Sequence, residues 1–278
     1  MSTEPDSLFE GLIAAADEAG DAIMALYGKV DARRKDDRSP VTDADEAAEV
    51  IILRHLAALS PGIPVVAEEQ VSQGAGPGSV GTRFWLVDPL DGTKEFLSKN
   101  GEFTVNIALI EDGCPTVAVV GAPAMDVLYA SDGEAAFRRR GKGGGKSGGG
   151  GKSGLESIAA RARPPEGVTA AVSRSHRDSE TDAFLKGLTV AGEKVGGSSL
   201  KFCLVAEGKA DVYPRFGRTM EWDTAAGHGV LRAAGGSVRK TDGTELGYGK
   251  AGFENPSFIA WGLDARHGAR IGHGSRPR

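Results

Sequence analysis

Between residues 84 and 93 an apolar run, Phe84-Trp85-Leu86-Val87, gives way to Asp88-Pro89-Leu90-Asp91-Gly92-Thr93. Two carboxylates, an exposed carbonyl, a glycine and a hydroxyl follow one another within six positions. Pro89 has no N–H to give a ladder, so the strand is expected to stop there, leaving Asp88, Leu90 and Asp91 on a loop at its carboxyl end. Open α/β sheets place ligands at that end. Acids crowded this closely repel unless a cation lies between them, and an all-oxygen set suits a hard ion such as Mg²⁺. Gly92 would let a phosphate approach the backbone, and the Thr93 hydroxyl can hold a water or a phosphate oxygen. Asp, Pro and Gly are also the ordinary residues of turns, so this stretch decides nothing without partners elsewhere.

Partners are present. A short strand, Ile63 to Ala67, ends in the adjacent acids Glu68-Glu69, which point in different directions at a strand end. Thr42 followed by Asp45 makes a capping-box start for a helix whose apolar face is Ala48, Ile51, Ile52, Leu56 and Leu59. Asp45 therefore has a structural role open to it as well as a chemical one. Glu221-Trp222-Asp223-Thr224-Ala225-Ala226 opens a helix that runs to Ala234 and exits at Gly235-Gly236, with Asp223 in a first turn where the macrodipole favours an acid. Glu68, Asp88, Asp91 and Asp223 are the equipment for two-metal phosphate-ester hydrolysis, in which ions ~3.5–4 Å apart acidify a water and neutralise the leaving oxygen.

The elements that must position these groups fall into two halves. Leu8, Leu12, Ile13, Ala16, Ala19, Ile23 and Leu26 recur at helical spacing. Phe103 to Ile110 and Thr116 to Val120 form a hairpin pattern through Glu111-Asp112-Gly113, with Val127 to Ala130 a further strand. This half, residues 1–140, reads as α+β and carries the metal site, to which Asp223 of the other half adds a ligand. After residues 141–154, built only of Gly, Lys and Ser and read as a linker, strands at Val168 to Val172, Ala210 to Tyr213 and Phe258 to Trp261 alternate with helices at Ser179 to Leu188 and Leu200 to Glu207. Residues 155–262 thus read as an α/β half, and 263–278 as a tail. The Gly-Lys-Ser triplets are not a phosphate loop: neither copy has the first glycine of that motif, and Arg138-Arg139-Arg140 stands where a buried strand would be needed. The cluster from Arg33 to Arg38 reads as a solvated turn.

Composition narrows the classes. A net charge of −5 over 278 residues argues against coating nucleic acid while leaving room for a basic pocket. Cys114 and Cys203 are the two cysteines, too few for a disulfide framework, which points to a reducing, cytoplasmic setting. No apolar run approaches the ~20 residues of a spanning helix. The expectation is a soluble protein, monomer or homodimer, at most peripheral on the cytoplasmic face of the inner membrane.

Taken together, the Asp88–Thr93 run, the Glu221–Ala226 run and Glu68-Glu69 resemble, in order, the signature set of the inositol monophosphatase superfamily of lithium-sensitive, Mg²⁺-dependent phosphatases. The resemblance implies a layered αβαβα sandwich. It implies that Glu68, Asp88 and the Leu90 carbonyl hold a first metal, that Asp88, Asp91 and Asp223 hold a second, and that Glu69 lies near a weaker third. Thr93, hydrogen-bonded to Asp45, would activate the attacking water, and the backbone of Gly92 and Thr93 would hold the scissile phosphate. Ser173-Arg174-Ser175-His176, Gly197-Ser198-Ser199-Leu200-Lys201-Phe202 and Ala210-Asp211-Val212-Tyr213-Pro214-Arg215 are similar to the 3'(2'),5'-bisphosphate nucleotidase branch. That similarity implies that Ser198, Lys201 and Arg215 receive a 5'-phosphate and that His176 lies against the nucleoside. A second phosphate needs fixed cationic donors, which Lys and Arg supply. The expected activity is hydrolysis of 3'-phosphoadenosine 5'-phosphate to AMP in sulfur assimilation. The alternatives are inositol monophosphatase or sugar bisphosphatase activity, or a regulator that binds a nucleotide without turnover.

Overall fold

A computed structural model describes residues 5–29, 33–34, 40–142, 154–174 and 177–263. The arginine-rich cluster from Lys35, most of the Gly/Lys/Ser stretch, Ser175-His176 and the tail after Leu263 lie outside the described residues.

In chain order the first elements are α1 (Pro5–Leu26), the two-residue strands β1 (Arg33–Arg34) and β2 (Pro40–Val41), α2 (Asp43–Leu59), β3 (Val65–Ala67), α3 (Glu68–Ser72), β4 (Arg83–Asp91) and α4 (Thr93–Leu97). The meander β5 (Thr104–Glu111), β6 (Cys114–Ala122), β7 (Val127–Ser131), β8 (Ala136–Arg140) and β9 (Glu156–Ile158) follows. These strands form a seven-stranded sheet in the order β3-β4-β5-β6-β7-β8-β9, parallel only at β3/β4. The chain continues through β10 (Val168–Ser173), α5 (Ser179–Lys186), β11 (Val190–Gly196), α6 (Leu200–Ala206), β12 (Val212–Arg215), α7 (Glu221–Ala233), β13 (Ser237–Lys240) and β14 (Phe258–Trp261). Its five-stranded sheet runs β11-β10-β12-β14-β13, parallel across β11, β10 and β12.

Period-two alternation explains the layers. In β4 and β5, Trp85, Val87, Val105, Ile107 and Leu109 face α1 and α2, while Phe84, Leu86, Ala108 and Ile110 face the other way. That second face packs on α6 and α7 through Phe202, Val230 and Leu231, which also meet Tyr213, Val238 and Phe258 of the smaller sheet. The outer side of that sheet, Val168, Ala170, Val172 and Val212, is covered by Leu185 of α5. The stack is therefore αβαβα, as the resemblance implied, with both faces of the large sheet buried.

Two expectations are corrected. The strand does not stop at Pro89: β4 runs to Asp91, and its register against β5 shifts so that Asp88 pairs with Asn106 and Asp91 with Thr104. One extra residue is accommodated there as a bulge, where a missing N–H breaks no ladder bond. β3 ends directly before Glu68-Glu69 as read, and the same two acids open α3. The large sheet does not end before the Gly/Lys/Ser stretch either, because Ala136 pairs with Ile158 and Arg138 with Glu156, so that stretch joins two paired strands of one sheet.

Candidate active site

The bulge in β4 brings its two acids to one face. In an unbroken strand, residues three apart point to opposite faces. Asn106 and Thr104 are two apart on β5 and share a face, so their partners Asp88 and Asp91 do too. That face looks into the middle layer, toward α7. Asp88 is buried, and its Oδ1 accepts the Leu90 N–H at 3.1 Å.

Two helix starts bring the other acids to the same place. Glu68 is the first residue of α3, directly after β3. Asp223 lies in the first turn of α7, where its Oδ2 accepts the Met220 N–H at 2.8 Å. Carboxylate oxygens of Glu68, Asp88 and Asp223 lie within 4.8 Å of one another. Asp91 stands beside this trio, its Oδ2 reached by Ser199 Oγ at 3.1 Å, Asn106 Nδ2 at 3.4 Å and Thr104 Oγ1 at 3.5 Å. Burial pushes the Asp91 carboxyl up to about 6, opposed by Lys201 and the Ser199 hydroxyl and reinforced by Glu68 and Glu95. Burial first, and then Asp91 and Glu68, hold Asp223 well above the usual carboxylate range. Buried acids that resist ionisation together are what a divalent cation relieves, and an oxygen-only donor set fits a hard one. The residues present thus fit Mg²⁺.

Asp45 caps its own helix and also meets Thr93. Its Oδ2 accepts the Thr42 N–H at 2.8 Å and the Thr42 hydroxyl at 2.7 Å, closing the capping box of α2. Its Oδ1 accepts the Thr93 hydroxyl at 3.2 Å, with the Leu90 carbonyl 3.5 Å away as a longer alternative for that proton. Thr93 heads α4, whose N-cap is Gly92 in the left-handed region at φ 93°. A side chain is doubly excluded at Gly92, since a Cβ would overlap Ser198 Oγ outright and come within 3.2 Å of Glu95 Oε2. Glu69 is buried with its carboxyl near the Ser72 hydroxyl at 3.5 Å, outside the trio.

The second half closes a cavity of about 460 Å³ over these groups, lined among others by Lys201, Tyr213, Arg215, Arg218 and Trp222. Lys201 is buried, its ammonium donating to the Ser198 carbonyl at 2.7 Å and lying 5.2 Å from the centre of the Tyr213 ring. Burial pulls its pKa down to about 8, while Asp91 opposes the fall. Arg215 donates to the Arg218 carbonyl at 3.1 Å. Ser198, at φ 48°, has its hydroxyl within reach of the Asp91 carbonyl at 2.8 Å and the Glu102 carbonyl at 3.0 Å, so it ties the two halves together at the bulge. His176 lies outside the described residues.

Several site residues were not singled out from sequence. Ser199 reaches both the Asp91 carboxylate and, at 3.2 Å, the Asp223 carbonyl. Thr104 and Asn106 were legible in principle, being polar residues two apart in an otherwise apolar strand. Glu49 of α2 accepts the Glu69 N–H at 2.9 Å and the Gln70 N–H at 3.1 Å. Asn255 reaches the start of α7, donating to the Met220 carbonyl at 2.7 Å or to Thr224 Oγ1 at 3.0 Å. No local pattern marks Glu49 or Asn255.

Residues 4–271 match the model of the inositol monophosphatase family. The 3'(2'),5'-bisphosphate nucleotidase CysQ of Salmonella typhimurium is 46% identical over 262 residues, which cover 90% of this chain and 98% of that one. The CysQ of Escherichia coli O6:H1 is 48% identical over 249 residues, covering 87% and 95%. Among solved structures, CysQ from Bacteroides thetaiotaomicron superposes with a TM-score of 0.75 at 38% identity, over 92% of this chain and 97% of that one. Layer order, the acidic trio and a match along nearly the full length agree, and the chain belongs to the inositol monophosphatase family.

Proposed function

We propose that the protein is a Mg²⁺-dependent phosphatase that removes the 3'-phosphate of 3'-phosphoadenosine 5'-phosphate, leaving AMP and phosphate, and so clears an inhibitory by-product of sulfur assimilation. One observation carries this: Glu68 and Asp223, which form a trio with Asp88, line a cavity of about 460 Å³ together with Asp91, Lys201 and Arg215. The acids provide for a phosphate undergoing hydrolysis, and the two cations for a second phosphate that stays in place. The bisphosphate nucleotidases that cover this chain almost end to end support the same substrate class. No described helix is long and apolar enough to cross a membrane.

Glu68, Asp88 and Asp223, with Asp91 and the Leu90 carbonyl alongside, would hold two ions, and Glu69 a third. When bound, the ions acidify a water and neutralise charge on the leaving oxygen. The chain's own groups do the rest. Thr93 gives its proton to Asp45, so its oxygen is left to accept a proton from a water held against it. That water's oxygen attacks phosphorus while its proton passes toward the Thr93–Asp45 pair. The bond from phosphorus to the ribose 3'-oxygen breaks, and that oxygen leaves as a hydroxyl after taking a proton from solvent water. The first N–H groups of α4 have no partner within their helix, which leaves them available to a scissile phosphate held against Gly92 and Thr93. Lys201 and Arg215 fix the 5'-phosphate, and Tyr213 and Trp222 supply aromatic wall to the cavity.

The test is phosphate release by the purified protein with Mg²⁺, offering 3'-phosphoadenosine 5'-phosphate and inositol 1-phosphate side by side, with and without Li⁺. Lithium-inhibited preference for the nucleotide is expected. Lys201→Ala should depress turnover of the nucleotide far more than that of inositol phosphate, and Asp223→Asn should abolish both. Preference for inositol phosphate would discard the nucleotide assignment, and substantial residual activity in Asp223→Asn would discard the metal assignment.

A further inference from the structure

Helix α3 begins with a deficiency that its own residues do not repair. Its N-cap is Ala67, fully buried and with no side-chain acceptor to offer the first N–H groups of the helix. The acceptor comes from elsewhere. Glu49, twenty residues back on α2, spans the turn with both carboxylate oxygens, Oε2 on the Glu69 N–H at 2.9 Å and Oε1 on the Gln70 N–H at 3.1 Å. Glu49 is 5% exposed. A buried carboxylate this close to Glu68 and Glu69 adds repulsion to an already acidic region, and an uncharged residue would avoid that cost. Its retention here calls for a role beyond filling space.

Geometry supplies one. Glu49 is four residues after Asp45, so the two share a face of α2. From that face Asp45 receives the Thr93 hydroxyl, and Glu49 receives the turn that begins with Glu68. We infer that Glu49 is a positioning residue for the cation: by holding two successive N–H groups it sets where α3 presents Glu68 to Asp88 and Asp223. The inference rests on those three acids being metal ligands. One rigid helix would then align both the pair that handles the water and a ligand that handles the ion, so that the two stay in register with each other.

Glu49→Gln keeps the volume but replaces one oxygen with an NH₂ that faces a backbone donor. Glu49→Asp keeps the charge but withdraws it by one methylene. In the full-length protein, Tb³⁺ luminescence with displacement by Mg²⁺ should show affinity falling by about 10–100-fold in both variants, the range found when a group that orients a metal ligand is lost. Melting without metal, run in parallel, should fall less steeply than the affinity does. Unchanged affinity in both variants, with the wild type binding normally, would overturn the inference. Loss in Glu49→Gln with full affinity in Glu49→Asp would assign the effect to charge and overturn positioning. A wild-type protein that binds neither ion would instead sink the metal assignment of Glu68, Asp88 and Asp223, and this inference with it.

Discussion

Replacing Gly92 by alanine should cost catalysis heavily, because two separate penalties fall on one turn. At φ 93° an L-residue is strained by about 1–2 kcal/mol. The new Cβ would also overlap Ser198 Oγ, so Ser198 must turn away and give up its 2.8 Å bond to the Asp91 carbonyl, worth about 1 kcal/mol. The sum is about 2–3 kcal/mol, which at 1.4 kcal/mol per decade is roughly a 30- to 150-fold fall in kcat/KM if the displacement is taken up at the turn carrying Asp91 and Thr93. Gly62 is the control: its φ is 88° but nothing lies within 4 Å of a Cβ there, so Gly62→Ala should bear the strain alone and keep its activity. The assay is phosphate release at saturating Mg²⁺ alongside thermal melting. Adding Ser198→Ala to Gly92→Ala should return part of the lost activity by removing the obstructing hydroxyl. Wild-type turnover in Gly92→Ala, or equal losses in Gly92→Ala and Gly62→Ala, would refute this account of the turn.

Two further outcomes are expected. Burial raises the Asp91 carboxyl from 3.8 to about 6 and raises Asp223 as well, so the metal-free fold retains protons that the unfolded chain has released. These groups therefore lower stability as pH rises from about 4 toward 6 and beyond, and the Mg²⁺-induced increase in melting temperature should grow over that range; an increase independent of pH would contradict the burial of these acids. Glu221 is fully buried and accepts the Gly249 N–H at 2.7 Å and the Lys250 N–H at 2.9 Å, with the Lys250 ammonium 2.6 Å away. Glu221→Ala should destabilise the fold by about 2–3 kcal/mol through those stranded donors, visible as a lower urea midpoint, whereas an unchanged midpoint would show that water replaces the carboxylate there.

What was legible from sequence is what few residues settle among themselves. The Thr42/Asp45 capping box closes within three positions, and the alternation around Trp85 and Ile107 declares a strand whatever lies on either side. The residue types of Glu68, Asp88, Asp91, Thr93 and Asp223 declared their chemistry, and the family resemblance carried by their order agreed with the fold that formed. Tertiary structure decided which of them converge. Pro89, an ordinary strand breaker, became tolerable only because β5 pairs past it, and the bulge so formed turned Asp88 and Asp91 to one face. The stretch at residues 141–154 read as a boundary from its composition, yet β8 before it and β9 after it pair in one sheet. Lys201 was expected to meet a phosphate; that its ammonium is buried beside the Tyr213 ring was decided by packing. The link from Glu49 to the N–H groups of Glu69 and Gln70 leaves no mark on the local pattern, because those residues meet only once α2 and α3 are docked. Short-range hydrogen bonding and periodicity are written into neighbouring residues, whereas the distances among carboxylates more than a hundred positions apart exist only after the layers have closed over one another.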